Sequence, residues 1–441
     1  MVSLGCSKNL VDGEIMLGML KDSGCEIVSE KEEADVIVVN TCAFIETAQQ
    51  EAVNTILEMA ALKKSGLKKL VVTGCLAQRY KDEIIKEIPE VDLVLGTSNV
   101  GDILKVLNDS NEDKIFCGDF VNVDYLNNKR VVSTTKPTAY IKIAEGCDNF
   151  CTYCIIPKLR GKYISRKIED IVKEAEFLAN EGYSEIILVA QDVTVYGRDI
   201  YGQKSLVSLI REISKIDAIK WIRLLYCYPE EITDELIEEI KNNDKLIKYL
   251  DIPIQHASDR ILKMMGRRSN KKCIEDVIHK IRSNIPGVLL RTSLIVGFPG
   301  ETDEDFGVLK NFVKDIKFDR LGVFKYSREE GTPAYNLGNQ IAESLKQSRY
   351  DDIMLIQNVI SREKNKERLG EVCETIVEGI SEDGIFYEGR TKKEAPDIDG
   401  KIYFTAQEYL SIGDIVLTKI INTDDYDLIG VVLRDKDEFA K

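Results

Sequence analysis

The sequence predicts an α/β protein in three parts: an N-terminal parallel α/β sandwich domain, a central partial (β/α)6 barrel and a small C-terminal antiparallel β-barrel. Three observations predict it. Short apolar, β-rich runs alternate with polar or amphipathic runs over residues 1–125, the rhythm of a parallel sheet covered by helices. The alternation restarts on a larger scale and yields six βα units over 138–335, enough for a barrel or open partial barrel. After a long polar helical stretch, Glu343–Arg368, the chain turns to short strands and turns over 370–436, the pattern of a small barrel.

The first part places strands at Val2–Leu4, Val36–Asn40, Leu70–Thr73 and Leu93–Leu95. Residues 121–137 are polar and aperiodic and read as a linker. In the second part strands are expected at Ala139–Ala144, Glu185–Ala190, Trp221–Leu225, Tyr249–Ile254, Leu289–Val296 and Gly322–Tyr326. Helices are expected between them at Glu169–Asn180, Ser205–Ser214, Glu231–Asn242, Asp259–Met265, Lys272–Ser283 and Asp303–Lys314. Strands of the last part fall at Glu371–Glu378, Ile385–Gly389, Lys401–Phe404, Asp414–Ile421 and Leu428–Val432. The domain limits that follow are 1–125, 133–368 and 369–436.

Composition narrows the function. The 441 residues are 44% hydrophobic and 31% charged, ordinary for a globular protein with a large core. No apolar run approaches the roughly 18 residues of a membrane span, and the N-terminus lacks a signal peptide's basic and apolar regions. A cytoplasmic protein without a membrane partner is expected. In that reducing compartment the eleven cysteines read as metal ligands or catalysts rather than disulfides. A net charge of −15 argues against a general grip on nucleic acid. With His256 and His279 the only histidines, a histidine base or two-histidine metal site has little room.

Cys147, Cys151 and Cys154 form a CxxxCxxC run after the first barrel strand. Thiolates in such loops hold iron–sulfur clusters, and three ligands on a four-iron cube leave one iron open for chemistry. A structural zinc site would want a fourth ligand and a second cysteine pair, which the sequence does not supply. Cys6, Cys42 and Cys75 each follow an apolar strand of the first part. Strand carboxyl ends of a parallel sheet open on one edge, so these thiols can converge; the alternative is three inert core cysteines. Cys25, Cys117, Cys227, Cys273 and Cys373 have no such context.

The run Ile-Val-Gly-Phe-Pro-Gly-Glu, 295–301, closes the fifth barrel strand and is at least a strand-to-helix turn. Gln191, Gln255 and Ser293 also stand at strand ends, as pocket groups or as loop polar residues. Arg160 and Arg166 follow the cysteine loop; Arg166 can reach a carboxylate or form a surface ion pair.

On the CxxxCxxC run, with Tyr153 as the aromatic before the third cysteine, the chain resembles the radical S-adenosylmethionine superfamily. The resemblance implies a 4Fe–4S cluster whose open iron chelates S-adenosylmethionine, and electron transfer that cleaves it to a 5′-deoxyadenosyl radical. It implies cofactor contacts from Tyr153, Gln191, Gln255, Ser293 and Gly297, the last in the loop near the adenine. Two three-cysteine sets followed by a small barrel resemble the methylthiotransferase family along nearly the whole chain, the barrel matching its TRAM domain. Two 4Fe–4S clusters are then implied, the first on Cys6, Cys42 and Cys75, the second on Cys147, Cys151 and Cys154; no other catalytic residue is assigned.

The start, Ser-Leu-Gly-Cys-Ser-Lys-Asn, and Asp192 in Val-Ala-Gln-Asp-Val-Thr resemble the ribosomal-protein branch rather than the transfer-RNA branch. The implied reaction is methylthiolation of an aspartate β-carbon in small-subunit ribosomal protein twelve, with two S-adenosylmethionine molecules and an electron donor. Charge argues the same way. Residues 371–441 carry 17 acidic and 8 basic side chains, a surface that repels RNA and complements a basic protein. Strong transfer-RNA binding is not expected. Two alternatives stand: the same reaction on a transfer-RNA adenosine, and a metal-stapled RNA-binding module without catalysis.

Overall fold

The computed structural model describes residues 1–108, 113–119 and 123–433. In the first part β1 (Val2–Ser3), β2 (Val36–Thr41), β3 (Lys69–Gly74), β4 (Leu93–Leu95) and β5 (Ile115–Phe116) pair in that order, all parallel. The strands are continuous apolar runs because both faces are covered. On one side Val38, Val71 and Leu95 meet α1 (Ser7–Asp22), through Val11, Ile15 and Met16. On the other Val39, Leu70 and Val72 meet α2 (Glu46–Ala61) and α3 (Cys75–Arg79). The two-residue β5 leaves no periodic signal and has no counterpart in the sequence-based expectation.

The segment after this sheet is not a free linker. Tyr125 and Leu126 are buried in the core, and buried Arg130 pairs with Glu14 at 2.6 Å and Glu174 at 3.0 Å. Its polar residues are spent on contacts with distant elements, which composition alone reads as solvent-facing. Residues 121 and 122 of the expected linker lie outside the described residues.

The central part begins with β6 (Thr138–Lys142), followed by a hairpin of β7 (Ala144–Glu145) and β8 (Ile164–Ser165). The remaining strands are β9 (Glu185–Val189), β10 (Trp221–Leu224), β11 (Leu246–Asp251), β12 (Leu289–Val296) and β13 (Arg320–Lys325). They form one parallel sheet, ordered β13-β12-β11-β10-β9-β6, whose two edge strands do not pair. It is a partial barrel. Outer helices bury apolar stripes such as Ile171, Ala175 and Leu178, or Leu209, Ile210 and Ile213. β11 lies three residues earlier than expected, because exposed Lys248 interrupts its apolar run.

A helix over Glu343–Lys366 leads to β14 (Val372–Ile380), β15 (Tyr387–Thr391), β16 (Ile402–Thr405), β17 (Ile415–Thr423) and β18 (Leu428–Val432). They close as β14-β15-β16-β18-β17 around Val377, Ile402, Phe404, Ile420 and Leu428. Four of the five seams are antiparallel, as expected of a small antiparallel barrel, and β16 and β18 run parallel. A ring with an odd number of strands cannot alternate direction all the way round, so one seam must be parallel.

This barrel caps the amino-terminal strand ends of the central sheet. Arg390 enters that base to pair with Glu185 and Thr138, and the Tyr249 hydroxyl donates to Asp399 at 2.7 Å. The strand carboxyl ends are left to the opposite face. Among the described residues no helix is long and apolar enough to cross a membrane.

Candidate functional site

Cys6, Cys42 and Cys75 follow β1, β2 and β3, so the parallel sheet delivers all three thiols to one edge. The loops touch: a Cβ on Gly5 would lie 2.7 Å from that of Cys42. Asn9, one turn into α1, ties the edge together. Its amide donates to Leu4 O at 3.2 Å and Thr41 O at 2.8 Å, and its carbonyl oxygen lies 3.8 Å from Cys75 Sγ. Burial, then the neighbouring Cys75 thiol, pushes Cys42 up to about 12. Burial also raises Cys75 against the pull of Arg160. At Cys6 burial is outweighed by Lys8 and Arg160, and the thiol is lowered.

Gly74 makes this edge possible. Its φ is 91°, and a Cβ would sit 2.4 Å from Thr41 O. Gly74→Ala is expected to cost about 1–3 kcal/mol or more, seen as a lowered midpoint in thermal unfolding followed by circular dichroism.

The second triplet sits in the loop after β7, at the carboxyl end of the central sheet. Cys147 N donates to Gly161 O at 3.1 Å and Cys154 N to Cys151 O at 3.0 Å. Thr152 pins the loop, donating to Met265 O at 2.9 Å and Met264 O at 2.8 Å. Burial, and then the Cys151 and Cys147 thiols beside it, raise Cys154 well above an ordinary thiol; burial chiefly takes Cys147 to about 11. Against Cys151 lie the Tyr228 hydroxyl at 3.8 Å and Arg267 at 4.0 Å, the guanidinium resting on the Tyr228 ring.

The other expected site residues occupy the same mouth in different ways. Gln191 donates to Glu145 at 3.1 Å while its carbonyl oxygen is buried and unpartnered. Gln255 is held in the left-handed region, φ 71°, and bridges to β12 by its backbone. Ser293 Oγ accepts from Arg291 at 3.4 Å. Gly297, φ 73°, donates to the Glu301 carboxylate, and a Cβ there would strike Lys346 at 2.3 Å. Tyr153 packs with Ile261, Met265 and Phe298 in a small core beneath the loop. Arg166 is buried and pairs with Glu174 at 2.5 Å, so it forms no surface bridge and belongs to the packing of the first barrel helix.

What sequence reasoning missed is a buried polar network between the triplets. Arg160 ends the short helix Ile156–Arg160 that follows the cysteine loop. Its guanidinium donates to Asn9, to Asp12 at 3.1 Å and to Glu145 at 2.9 Å. Lys142 joins Asp12 and, at 2.6 Å, Glu145; the single Tyr125 hydroxyl lies 3.2 Å from each carboxylate. Burial alone would raise Glu145, but Arg160 and Lys142 hold it far below the usual carboxylate range. Arg160 thus spans from the second cysteine loop to the first thiol edge. Asn9 and Asp12 were readable only as a helix face three residues apart, following Cys6.

Among the described residues no three His, Cys, Asp or Glu side chains are gathered tightly enough to hold one metal ion. A four-iron cube needs its thiolates further apart, since each binds a different iron.

A ribosomal protein uS12 methylthiotransferase, RimO, of Acetivibrio thermocellus is 60% identical to this chain, covering 98% of each. The RimO of Clostridium botulinum Loch Maree is 54% identical over 99% of this chain and 98% of its own length. The chain belongs to the RimO family. Family profiles divide it consistently: an uncharacterized protein family (UPF0004) over 1–96, the radical SAM superfamily over 141–313 and a TRAM domain over 369–433. The fold of the RimO-family chain is also found in the radical S-adenosylmethionine methyltransferase TsrM of Kitasatospora setae, solved with cobalamin and a 4Fe–4S cluster. That likeness has a TM-score of 0.54 at 13% identity, over 75% of this chain and 71% of that one.

Radical SAM membership implies a 4Fe–4S cluster and S-adenosylmethionine, and the residues present fit them. Three thiols line one loop, an unpartnered Gln191 oxygen waits at the mouth, and buried Arg267 and Lys8 supply positive charge beside Cys151 and Cys6.

Proposed function

We propose that this chain methylthiolates the β-carbon of an aspartate in the basic ribosomal protein uS12. The observation that carries it is the pairing of two thiol triplets across one buried seam, with Arg160 reaching from the second cysteine loop to Asn9 beside the first. Cys147, Cys151 and Cys154 would hold the 4Fe–4S cluster that binds S-adenosylmethionine, and Cys6, Cys42 and Cys75 an auxiliary 4Fe–4S cluster. When bound, these groups supply the radical, the inserted sulfur and the methyl group.

The chain's own residues bind, orient and exclude water. The free Gln191 oxygen, the Gln255 and Gly297 backbones, Ser293 and Tyr153 form the cofactor wall. Asn9, Asp12, Glu145 and Arg160 fix the distance between the triplets. The acidic C-terminal module, with 17 acidic and 8 basic residues over 371–441, complements a basic substrate. Residues 1–125, 133–368 and 369–436 act as auxiliary-cluster, radical and TRAM domains; 109–112, 120–122 and 434–436 of these spans lie outside the described residues. The setting is the cytoplasm, an electron donor is the second partner, and strong transfer-RNA binding is not part of this reading.

Incubating the anaerobically reconstituted enzyme with uS12 and, separately, with unmodified transfer RNA tests the choice of substrate. Methylthiolated protein and unchanged RNA are expected. Methylthiolated adenosine with unmodified protein contradicts the proposal.

A further inference from the structure

Lys8 is buried, 8% exposed, two residues after Cys6 at the start of α1. Its ammonium stands 3.6 Å from the centroid of the Tyr226 ring. Among the described residues it forms no ion pair with a carboxylate; the charged and polar neighbours that act on it are Tyr226, Cys6 and Arg160. Lys142, Arg160, Arg223 and Arg390 are as deeply buried, and each contacts a carboxylate. A buried ammonium that no carboxylate neutralises is costly, and the Cys6 thiol that faces Lys8 is shared with Arg160. The π-face of Tyr226 offsets only part of that cost, on the order of 2 kcal/mol when desolvated.

The platform itself is strained. Tyr226 follows β10 at the carboxyl end of the central sheet and has φ 66°, unfavourable for a residue with a Cβ. Two backbone bonds hold it there: its carbonyl accepts from Val193 N at 3.1 Å and its N–H donates to Asp251 at 3.3 Å. Such strain persists where a side chain must be aimed, and here it aims a partly exposed ring at a cation from another domain. The resulting site is a buried positive charge at the barrel mouth, beside the first thiol edge, with no carboxylate of its own among the described residues.

Resting on the reaction proposed above, we infer that Lys8 receives the side-chain carboxylate of the target aspartate and thereby selects it. The reacting β-carbon is bonded directly to that carboxylate. One ion pair at Lys8 therefore fixes the carbon next to the triplet from which sulfur is proposed to come. An asparagine in the same place offers no charge to pair with the ammonium and is rejected.

The test compares binding of the reconstituted enzyme to a basic peptide spanning the target aspartate of uS12 and to the same peptide with asparagine. The wild-type enzyme is expected to prefer the aspartate peptide on the order of 100-fold, the scale of losing one partner of a buried charge pair. Lys8→Met is expected to bring the two Kd values within about threefold, a difference below 1 kcal/mol, by weakening the aspartate peptide alone. Lys8→Arg keeps the charge and most of the preference. Iron content and visible absorption are recorded on the same preparations. A preference retained by Lys8→Met overturns the inference; if iron is lost as well, Lys8 serves charge balance at Cys6 instead. Equal binding of both peptides by the wild-type enzyme overturns it without recourse to any variant. An enzyme that ignores both peptides and methylthiolates RNA overturns the underlying reaction, a distinguishable result.

Discussion

Cys151→Ala is expected to abolish reductive cleavage of S-adenosylmethionine, whereas Cys42→Ala is expected to spare cleavage and stop sulfur insertion. The asymmetry follows from where the thiols stand. Cys151 is a buried member of the loop at the barrel mouth, between Tyr228 and Arg267. Cys42 belongs to the edge of another sheet, in contact with the Gly5 loop and coupled to Cys75 and Cys6. Removing a ligand should cost more than the roughly 10–100-fold lost when a residue behind a ligand is changed. The readouts are 5′-deoxyadenosine formed under dithionite, methylthiolated product, and iron per chain, which should be about eight in the wild type for two four-iron clusters. Two variants that behaved alike would end the proposed division of labour. Zinc, or no metal, with no cofactor cleavage would favour the non-catalytic RNA-binding alternative.

Arg390→Met is expected to destabilise the docking of the C-terminal barrel by about 3–5 kcal/mol, the scale of stranding one partner of a buried ion pair. Arg390 lies at the base of the central sheet with Glu185, Thr138 and Glu378, and Arg223 reaches the same Glu185 at 3.2 Å. Burial raises Glu185, but Arg390 and then Arg223 win and bring it down from 4.5 to about 2. The sign of the pH effect follows. A carboxylate lowered on folding stabilises fully above its unfolded value, loses that stabilisation as pH falls from 4.5 towards 2, and contributes nothing below. Since one pK unit is about 1.4 kcal/mol, the pair is worth roughly 3 kcal/mol at neutral pH. Thermal unfolding between pH 5 and about 2.5 should show the wild-type midpoint falling and that of Arg390→Met lower and flatter. Equal midpoints for both proteins at neutral pH would refute this account of the domain junction.

How much of this was legible depended on the range of the interactions. The βα rhythm was readable because parallel strands buried on both faces, such as Val-Ile-Val-Val in β2, are unbroken apolar runs. The convergence of Cys6, Cys42 and Cys75 was readable because strand ends in a parallel sheet share an edge, whereas Cys147, Cys151 and Cys154 stood out by their CxxxCxxC spacing. The segment after residue 122 was misread, since Arg130 looks like any linker arginine until Glu14 is found 116 residues away. The seam between the triplets was hidden for the same reason: Lys142 ends β6 of the central sheet and Asp12 lies in α1 of the first part, 130 residues away. Arg160 stood out in the sequence, but its partners could not be inferred from the short helix that carries it. Lys8 entered the sequence reading only as one letter of the Ser-Leu-Gly-Cys-Ser-Lys-Asn start, with no role of its own. A lysine after a cysteine looks solvent-facing, and only the fold shows that a strained tyrosine, not a carboxylate, meets it.

The central claim is that two triplets on one seam convert a C–H bond of a protein aspartate into C–S–CH3. Fragmentation mass spectrometry of uS12 after anaerobic turnover tests it most directly. The account predicts a gain of one CH2S unit, confined to the β-carbon of a single aspartate. Unmodified uS12 from an enzyme that carries both clusters and cleaves S-adenosylmethionine would contradict it, as would the same mass gain on any residue other than aspartate.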